Sequence, residues 1–461
     1  MTRLVVVSNR VADLSKGSQS GGLAVAVGDA LQERGGLWFG WDGNVTAQSR
    51  RLPANVHKDG PVTTVTLPLT QKDYKEYYLG FSNSMLWPIL HYRLDLARFN
   101  KGDLKGYRRV NSKFADALRP FLKPDDVIWV HDYHLIPLAA ELRQRGLPHK
   151  IGFFLHIPFP PPDVLAAAPE YEWLLRTLFS YDLVGFQTHA DVANFERHVL
   201  AQGGEVMADG QVTAFGRTIM VRRFPIGIDV DAFAEMAVTR EAREEIGRLK
   251  RHQPAGSHII GVDRLDYSKG LPDRLRAFER LLELYPENHR RVSFLQVAPP
   301  TREDVEAYAD IRLELEGLAG AINGRFGEYD WTPLQYIHRN VPRSTLAALF
   351  RGSQVGLVTP LRDGMNLVAK EFVAAQDEAD PGALVLSRFA GAAEELQEAL
   401  VVNPYDVDEV AAAMQTAITM PVEERRNRHA ALLRRIRQYD AKSWQDDFLK
   451  VLDAVPTGPA A

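Results

Sequence analysis

The sequence predicts an α/β protein made of two Rossmann-like units, each a doubly wound parallel sheet. Three observations carry that expectation. Short apolar, β-branched runs alternate with helix-length amphipathic stretches twice along the chain, the pattern of parallel strands joined by crossover helices. A Pro/Gly segment at 225–229, Pro-Ile-Gly-Ile-Asp, separates the two sets and reads as a hinge. Chemically unusual side chains recur just after the strands, where open parallel sheets bind ligands. The two sets of strand ends are expected to face each other across an interdomain cleft.

Taken in order, residues 4–7 form a first buried strand, followed by a Gly/Ser-rich loop (16–22) and a helix over 23–31. Ser20-Gly21-Gly22 at that helix start is either an anion-friendly turn or simply a flexible loop. Residues 37–70 read as short β segments around Trp38 and Trp41. The stretch 73–100 is rich in aromatics (Tyr74, Tyr77, Tyr78, Phe81, Trp87), mostly core material. From Pro120 the alternation is regular: strand 127–130, helix 135–145, strand 151–155, helix 171–179, strand 183–186, helix 191–200, and two strands within 211–224. The second set runs strand 258–262, helix 271–285, strand 292–297, helix 302–321, helix 343–351, strand 354–358, helix 367–376, strand 383–386, with helices beyond Asp406. An amphipathic helix over 443–452 closes the chain before a Pro/Gly/Ala tail (455–461) that should be disordered. The domains are therefore expected at 1–228 and 229–442, with the helix 443–454 packing back onto the first.

Composition narrows the function. The 461 residues suit two large domains. With 55 basic and 59 acidic residues and no long run of either sign, the formal charge of −4 argues against a nucleic-acid or membrane surface and for a small-molecule partner. Cysteine is absent, which excludes disulfides, thiolate metal sites and a cysteine nucleophile. No signal peptide or membrane-spanning stretch is evident, so a cytoplasmic location is expected.

The stretch 359–371, TPLRDGMNLVAKE, organises the second unit. It joins a buried strand to a helix start, and the N–H groups of Asn366, Leu367 and Val368 would form an anion site there, with Gly364 permitting a tight turn. Asp363 either caps the helix or accepts hydrogen bonds from sugar hydroxyls, and Glu371 either lies on a solvated face or reaches a ribose. Arg264 and Lys269, in DRLDYSKG (263–270), are solvated charges or the walls of a phosphate pocket beside Gly270 and a helix start. Arg302 follows the next strand across Pro299-Pro300. In the first unit Arg10, His131-Asp132-Tyr133-His134 and His156 follow successive strands. His131 and His134 lack the helical spacing of zinc hydrolases, and His156 by itself is either a core histidine or a site residue. Asp229/Asp231 and Asp406/Asp408 read as helix caps.

Together with SNR (8–10), GGL (21–23), WFGW (38–41), LWP (86–88), HDYHL (131–135), FLHIPFP (154–160) and SRFAGAAEEL (387–396), these motifs resemble the trehalose-6-phosphate synthases, retaining glycosyltransferases of family 20 with GT-B architecture. The resemblance spans nearly the whole chain. It implies transfer of glucose from UDP-glucose to glucose 6-phosphate, giving α,α-trehalose 6-phosphate and UDP, with no metal, no cofactor beyond the co-substrate, and a homo-oligomer (dimer or tetramer). It assigns the donor to Gly22, Trp41, Arg264, Lys269, Asp363, Asn366, Leu367, Val368 and Glu371. It assigns the acceptor to Arg10, Tyr78, Trp87, Asp132 and Arg302, and the catalytic centre to Asp132, His156, Arg264, Lys269 and Asp363. The alternatives are a pseudo-glycosyltransferase of the validoxylamine type that couples cyclitols, and a non-catalytic sugar-phosphate sensor.

Overall fold

The computed structural model describes residues 2–12, 27–28, 31–32, 34–47, 54–252, 256–301 and 306–456. The loop 13–20, most of the helix expected over 23–31, Gly22, Arg302 and the end of the tail lie outside the described residues. The chain divides into two compact units, Met1–Pro225 with Lys442–Ala461, and Ile226–Ala441.

The first unit holds a ten-stranded sheet. Its strands are β1 (Leu4–Arg10), β2 (Gly36–Thr46), β3 (Asn55–Asp59), β4 (Val62–Thr70), β5 (Val127–His131), β6 (Lys150–Phe154), β7 (Leu183–Phe186), β8 (Glu205–Val206), β9 (Gln211–Ala214) and β10 (Arg217–Arg223). The order is β3-β4-β2-β1-β5-β6-β7-β10-β9-β8. Neighbours from β4 to β10 are parallel, and the apolar runs of the central strands β1, β5, β6 and β7 are buried on both faces, whereas β4 and β10 are only partly buried. The ends depart from the expected parallel sheet. Strand β3 pairs antiparallel with β4, and β8 and β9 form antiparallel pairs beyond β10. Such hairpins are open to strands at a sheet edge, where one side faces solvent and an alternating or polar sequence suffices.

Two helical segments of this unit were not anticipated. Residues Tyr74–Leu86 wind as a wide π-helix that turns Tyr77 and Phe81 inward. Helix α1 (Lys101–Leu118) follows, with Leu104, Tyr107, Val110, Phe114 and Leu118 buried at intervals of three or four. Its start is fixed by Asn100, whose side chain accepts from the Gly102 N–H at 2.7 Å. The helix expected over 135–145 instead begins as a 3₁₀ turn at Tyr133–Leu135 and becomes α-helical only at Leu138, after Pro137. The last helix, whose residues from 442 onward belong to this unit, lays Trp444 and Phe448 on Trp129 at ring-centroid distances of 4.9 and 4.7 Å. A Cβ on Gly152 in β6 would come within 2.8 Å of Phe448, which is why that strand carries glycine there.

The second unit holds a six-stranded, wholly parallel sheet: β11 (Ser257–Val262), β12 (Val292–Val297), β13 (Leu334–Ile337), β14 (Val355–Val358), β15 (Ala383–Ser387) and β16 (Leu400–Val402), in the order β13-β12-β11-β14-β15-β16. The four inner strands coincide with apolar runs in the sequence. Strands β13 and β16 are the two edges: β13 (Leu-Gln-Tyr-Ile) is broken by a polar residue, and β16 (Leu-Val-Val) is apolar but only three residues long, too short to stand out as a strand. Asp229 and Asp406 cap helices, each accepting a backbone N–H at 2.9 Å, from Ala232 and Glu409. Helix α2 (Leu271–Leu284) follows β11, and helix α3 (Leu367–Ala375) follows β14. No helix among the described residues is long and apolar enough to cross a membrane.

Candidate active site

In the first unit, β1, β5 and β6 are neighbours in parallel register, so Arg10, His131-Asp132 and His156 emerge at the same end of the sheet. Arg10 is exposed, with its guanidinium 5.9 Å from the Trp41 ring centroid. Trp41 meets Tyr78 at 5.4 Å, and Tyr78 stacks on His134 at 5.9 Å with the rings 10° from parallel. A cation, an indole and a half-buried phenol thus share one patch, which suits an anionic sugar: charge for the phosphate and flat apolar faces for the ring. Trp87 lies behind this patch. It is 3% exposed and packs on His91 and Tyr133, and Tyr133 in turn touches His134.

Asp132 adopts φ 75°, a left-handed value uncommon for a residue with a side chain. That bend lets its N–H reach the Phe154 carbonyl at 2.8 Å while its Oδ1 lies 3.4 Å from the His156 N–H. The HDYH turn and the residue after β6 are therefore fixed to each other. His156 is partly exposed, and its ring contacts His131, Phe154 and Trp444. Burial against these rings holds its pKa down to about 3, and burial together with His156 keeps that of His131 well below the usual value, so both imidazoles are neutral. Among the described residues no group of three or more His, Asp or Glu side chains is arranged to hold a metal ion.

In the second unit, the 3₁₀ turn Tyr267–Lys269 after β11 is adjacent to the turn after β14. Gly270 has φ 62°, and a Cβ there would come within 2.7 Å of the Thr359 carbonyl, so only glycine lets the two turns approach so closely. Lys269, 7% exposed, places Nζ 2.5 Å from Asp363 Oδ2. Asn366 Nδ2 donates to the same Asp363 oxygen at 3.1 Å and to Asp263 Oδ1 at 3.3 Å. The left-handed residue in this turn is Asn366 (φ 69°), which precedes α3 without a side-chain cap, and the first turn of α3 carries no acidic residue. The helix N-terminus is thus left as a partial positive charge beside an ammonium.

Arg274, fully buried beneath this turn, is a site residue that the sequence reading missed. Its guanidinium donates to Thr359 at 3.0 Å, Gln296 at 3.2 Å and Asp263 at 2.8 Å, tying α2 to β12 and to the ends of β11 and β14. Burial raises the pKa of Asp263, while Arg274 and Lys269 pull it the other way. The one available signal was its position between Leu271, Leu275 and Phe278 on the inward face of α2, where a charge needs a partner. Glu371, a turn into α3, lies 3.3 Å from Arg343, and burial raises its pKa against the pull of that cation. Arg264 stands exposed at the end of β11. The second unit therefore gathers an ammonium, a carboxylate, an amide and a helix N-terminus, groups complementary to a diphosphate attached to a polyol.

A model of the family described as glycosyltransferase family 20 matches residues 4–454. A trehalose-6-phosphate synthase of Cronobacter sakazakii is 50% identical over 462 aligned residues, covering 100% of this chain and 97% of that protein. Among solved structures, an α,α-trehalose-phosphate synthase (UDP-forming) of Burkholderia xenovorans in complex with glucose-6-phosphate is 52% identical, with a TM-score of 0.94, covering 98% of this chain and 100% of that one. A structure from E. coli bound with UDP-2-fluoro glucose is 48% identical, with a TM-score of 0.95, covering 99% and 100%.

Proposed function

This chain belongs to glycosyltransferase family 20, and from that premise we propose that it transfers glucose from UDP-glucose to glucose 6-phosphate, with retention, giving α,α-trehalose 6-phosphate and UDP. The observation that carries the reading is the Lys269–Asp363–Asn366 cluster at the start of α3, which combines charge for a diphosphate with acceptors for sugar hydroxyls. In this reading Arg264, Lys269 and the N–H groups of Asn366, Leu367 and Val368 hold the diphosphate and stabilise charge as it leaves. Asp363 takes the glucose hydroxyls and Glu371 the ribose, and Trp41 and Gly22 complete the donor set. Arg10, Tyr78, Trp87, Asp132 and Arg302 take the acceptor, and His156 orients the donor sugar at the reacting carbon. The protein then contributes position and electrostatics, and a leaving phosphate oxygen takes the proton of the attacking hydroxyl. No further cofactor is needed for that chemistry; phosphorylated, nucleotide-activated substrates support a cytoplasmic location, and the family resemblance is the support for a homo-oligomer.

The deciding experiment incubates the protein with a panel of UDP-, ADP- and GDP-glucose against glucose, glucose 6-phosphate and cyclitol phosphates. Formation of a non-reducing disaccharide phosphate from UDP-glucose and glucose 6-phosphate supports the reading. Product with a cyclitol acceptor alone, or tight binding without turnover, overturns it.

A further inference from the structure

We propose that His131 is a positioning residue that fixes the tautomer of His156, so that His156 presents its Nδ1–H as a hydrogen-bond donor; the catalytic relevance of this rests on the role of His156 proposed above. His131 ends β5 with no solvent exposure, and its Nδ1 lies 3.1 Å from His156 Nε2. The rings stack at 5.3 Å, while Trp129 (4.5 Å) and Trp444 (6.3 Å) pack against His131. His131 therefore has little freedom to turn away. His156 is held at its backbone by Asp132, at one ring nitrogen by His131, and on its edge by Trp444, 5.8 Å away.

Both rings are neutral, so one proton bridges the two nitrogens and the arrangement has two forms. In one, His156 Nε2–H donates to His131 Nδ1, and His131 keeps its proton on Nε2, an atom that is buried without a hydrogen-bond partner. In the other, His131 Nδ1–H donates to His156 Nε2, and the proton of His156 sits on Nδ1. Buried N–H groups without an acceptor are the rarer defect in folded proteins, which favours the second form. It leaves His156 with an Nδ1–H suited to a sugar hydroxyl oxygen, and no hydrogen bond among the described residues occupies that nitrogen.

The test combines ¹⁵N-histidine NMR of the full chain with kinetics of His131→Phe, which keeps a ring but no donor, and His131→Asn, whose amide can stand where Nδ1 stood. In the wild type, His156 should carry its proton on Nδ1. His131→Phe should convert it to a tautomer mixture and lower kcat by roughly ten- to a hundredfold, the scale for removing a partner that orients a functional histidine. His131→Asn should recover most of both. In a His156→Ala background His131→Phe should have no further effect on kcat. A wild-type proton on Nε2 of His156, or an Nδ1–H form that persists in His131→Phe, overturns the inference. If His131→Phe does not fold, the wild-type spectrum and His131→Asn decide it. Unchanged kcat in His156→Ala alone would remove the catalytic role of His156 and leave the tautomer assignment to be judged by the spectra.

Discussion

Truncating Lys269 to Ala should damage the enzyme twice, in ways that can be measured apart. The lost ammonium sits 2.5 Å from Asp363, with side-chain exposures of 9% and 14% for the pair. Removing one partner of a buried ion pair costs about 3–5 kcal/mol because the other charge is left uncompensated. Asp363 keeps its bond from Asn366 and some contact with water, which reduces the expected loss to about 2–3 kcal/mol. For a unit of this size that lowers the melting temperature by roughly 4–12 °C. If Lys269 also meets charge developing on the departing diphosphate, kcat falls by about a hundred- to a thousandfold. Arg264, exposed at the end of β11, should show the same loss of kcat on truncation if it too meets that charge. Adding Asp363→Asn to Lys269→Ala should restore much of the melting temperature and none of the activity. Calorimetry and initial rates at saturating donor decide the matter. Wild-type melting in Lys269→Ala would refute the energetic role of the pair, and unchanged kcat with a raised donor KM would show that Lys269 only binds.

Other outcomes follow from the same geometry. His156 has a folded-state pKa of about 3 against 6.5 for a free imidazole, so it favours the folded state above pH 6.5 and that contribution is lost as the pH falls toward 3. Chemical denaturation at pH 6.5 and at about pH 5 should therefore show wild type losing up to about 2 kcal/mol relative to His156→Gln; equal losses would contradict the depressed pKa of this partly exposed ring. Arg10→Ala should raise KM for glucose 6-phosphate at least about tenfold, and glucose itself should be a very poor acceptor, because the phosphate supplies binding energy used for turnover. If glucose works as well as its phosphate, the acceptor assignment fails. If Arg264, Lys269 and a helix N-terminus hold the diphosphate as proposed, activity should survive exhaustive chelation, and complete loss reversed by added metal would contradict this. NMR of fresh product should show an α,α linkage, and mass analysis after rapid quenching should show no hexose on Asp132 or Asp363. A kinetically competent adduct there would establish a double displacement instead.

Much of this molecule is legible in its sequence because inner parallel strands must be apolar on both faces. The runs at 4–7, 127–130, 183–186 and 292–297 could be read as strands without any knowledge of their neighbours. Strand-end placement then marked Arg10, Asp132, His156, Arg264, Lys269 and Asp363, since the ends of parallel strands are where chemistry collects. Family motifs supplied the substrates. What the sequence could not fix depends on contacts between distant residues. The edge strands β13 and β16 exist because neighbours offer them backbone partners, a property their own residues do not encode. That Lys269 faces Asp363, 94 positions away, follows from two turns meeting at Gly270. Arg274 looks like an ordinary helix charge until Asp263, Gln296 and Thr359 surround it. His131, whose spacing to His134 argued only against a zinc site, gained its partner when β5 and β6 paired and the last helix brought Trp444 beside them. Local hydrophobic pattern is written in consecutive residues, whereas the pairing of polar groups is set by which strand ends the fold makes neighbours.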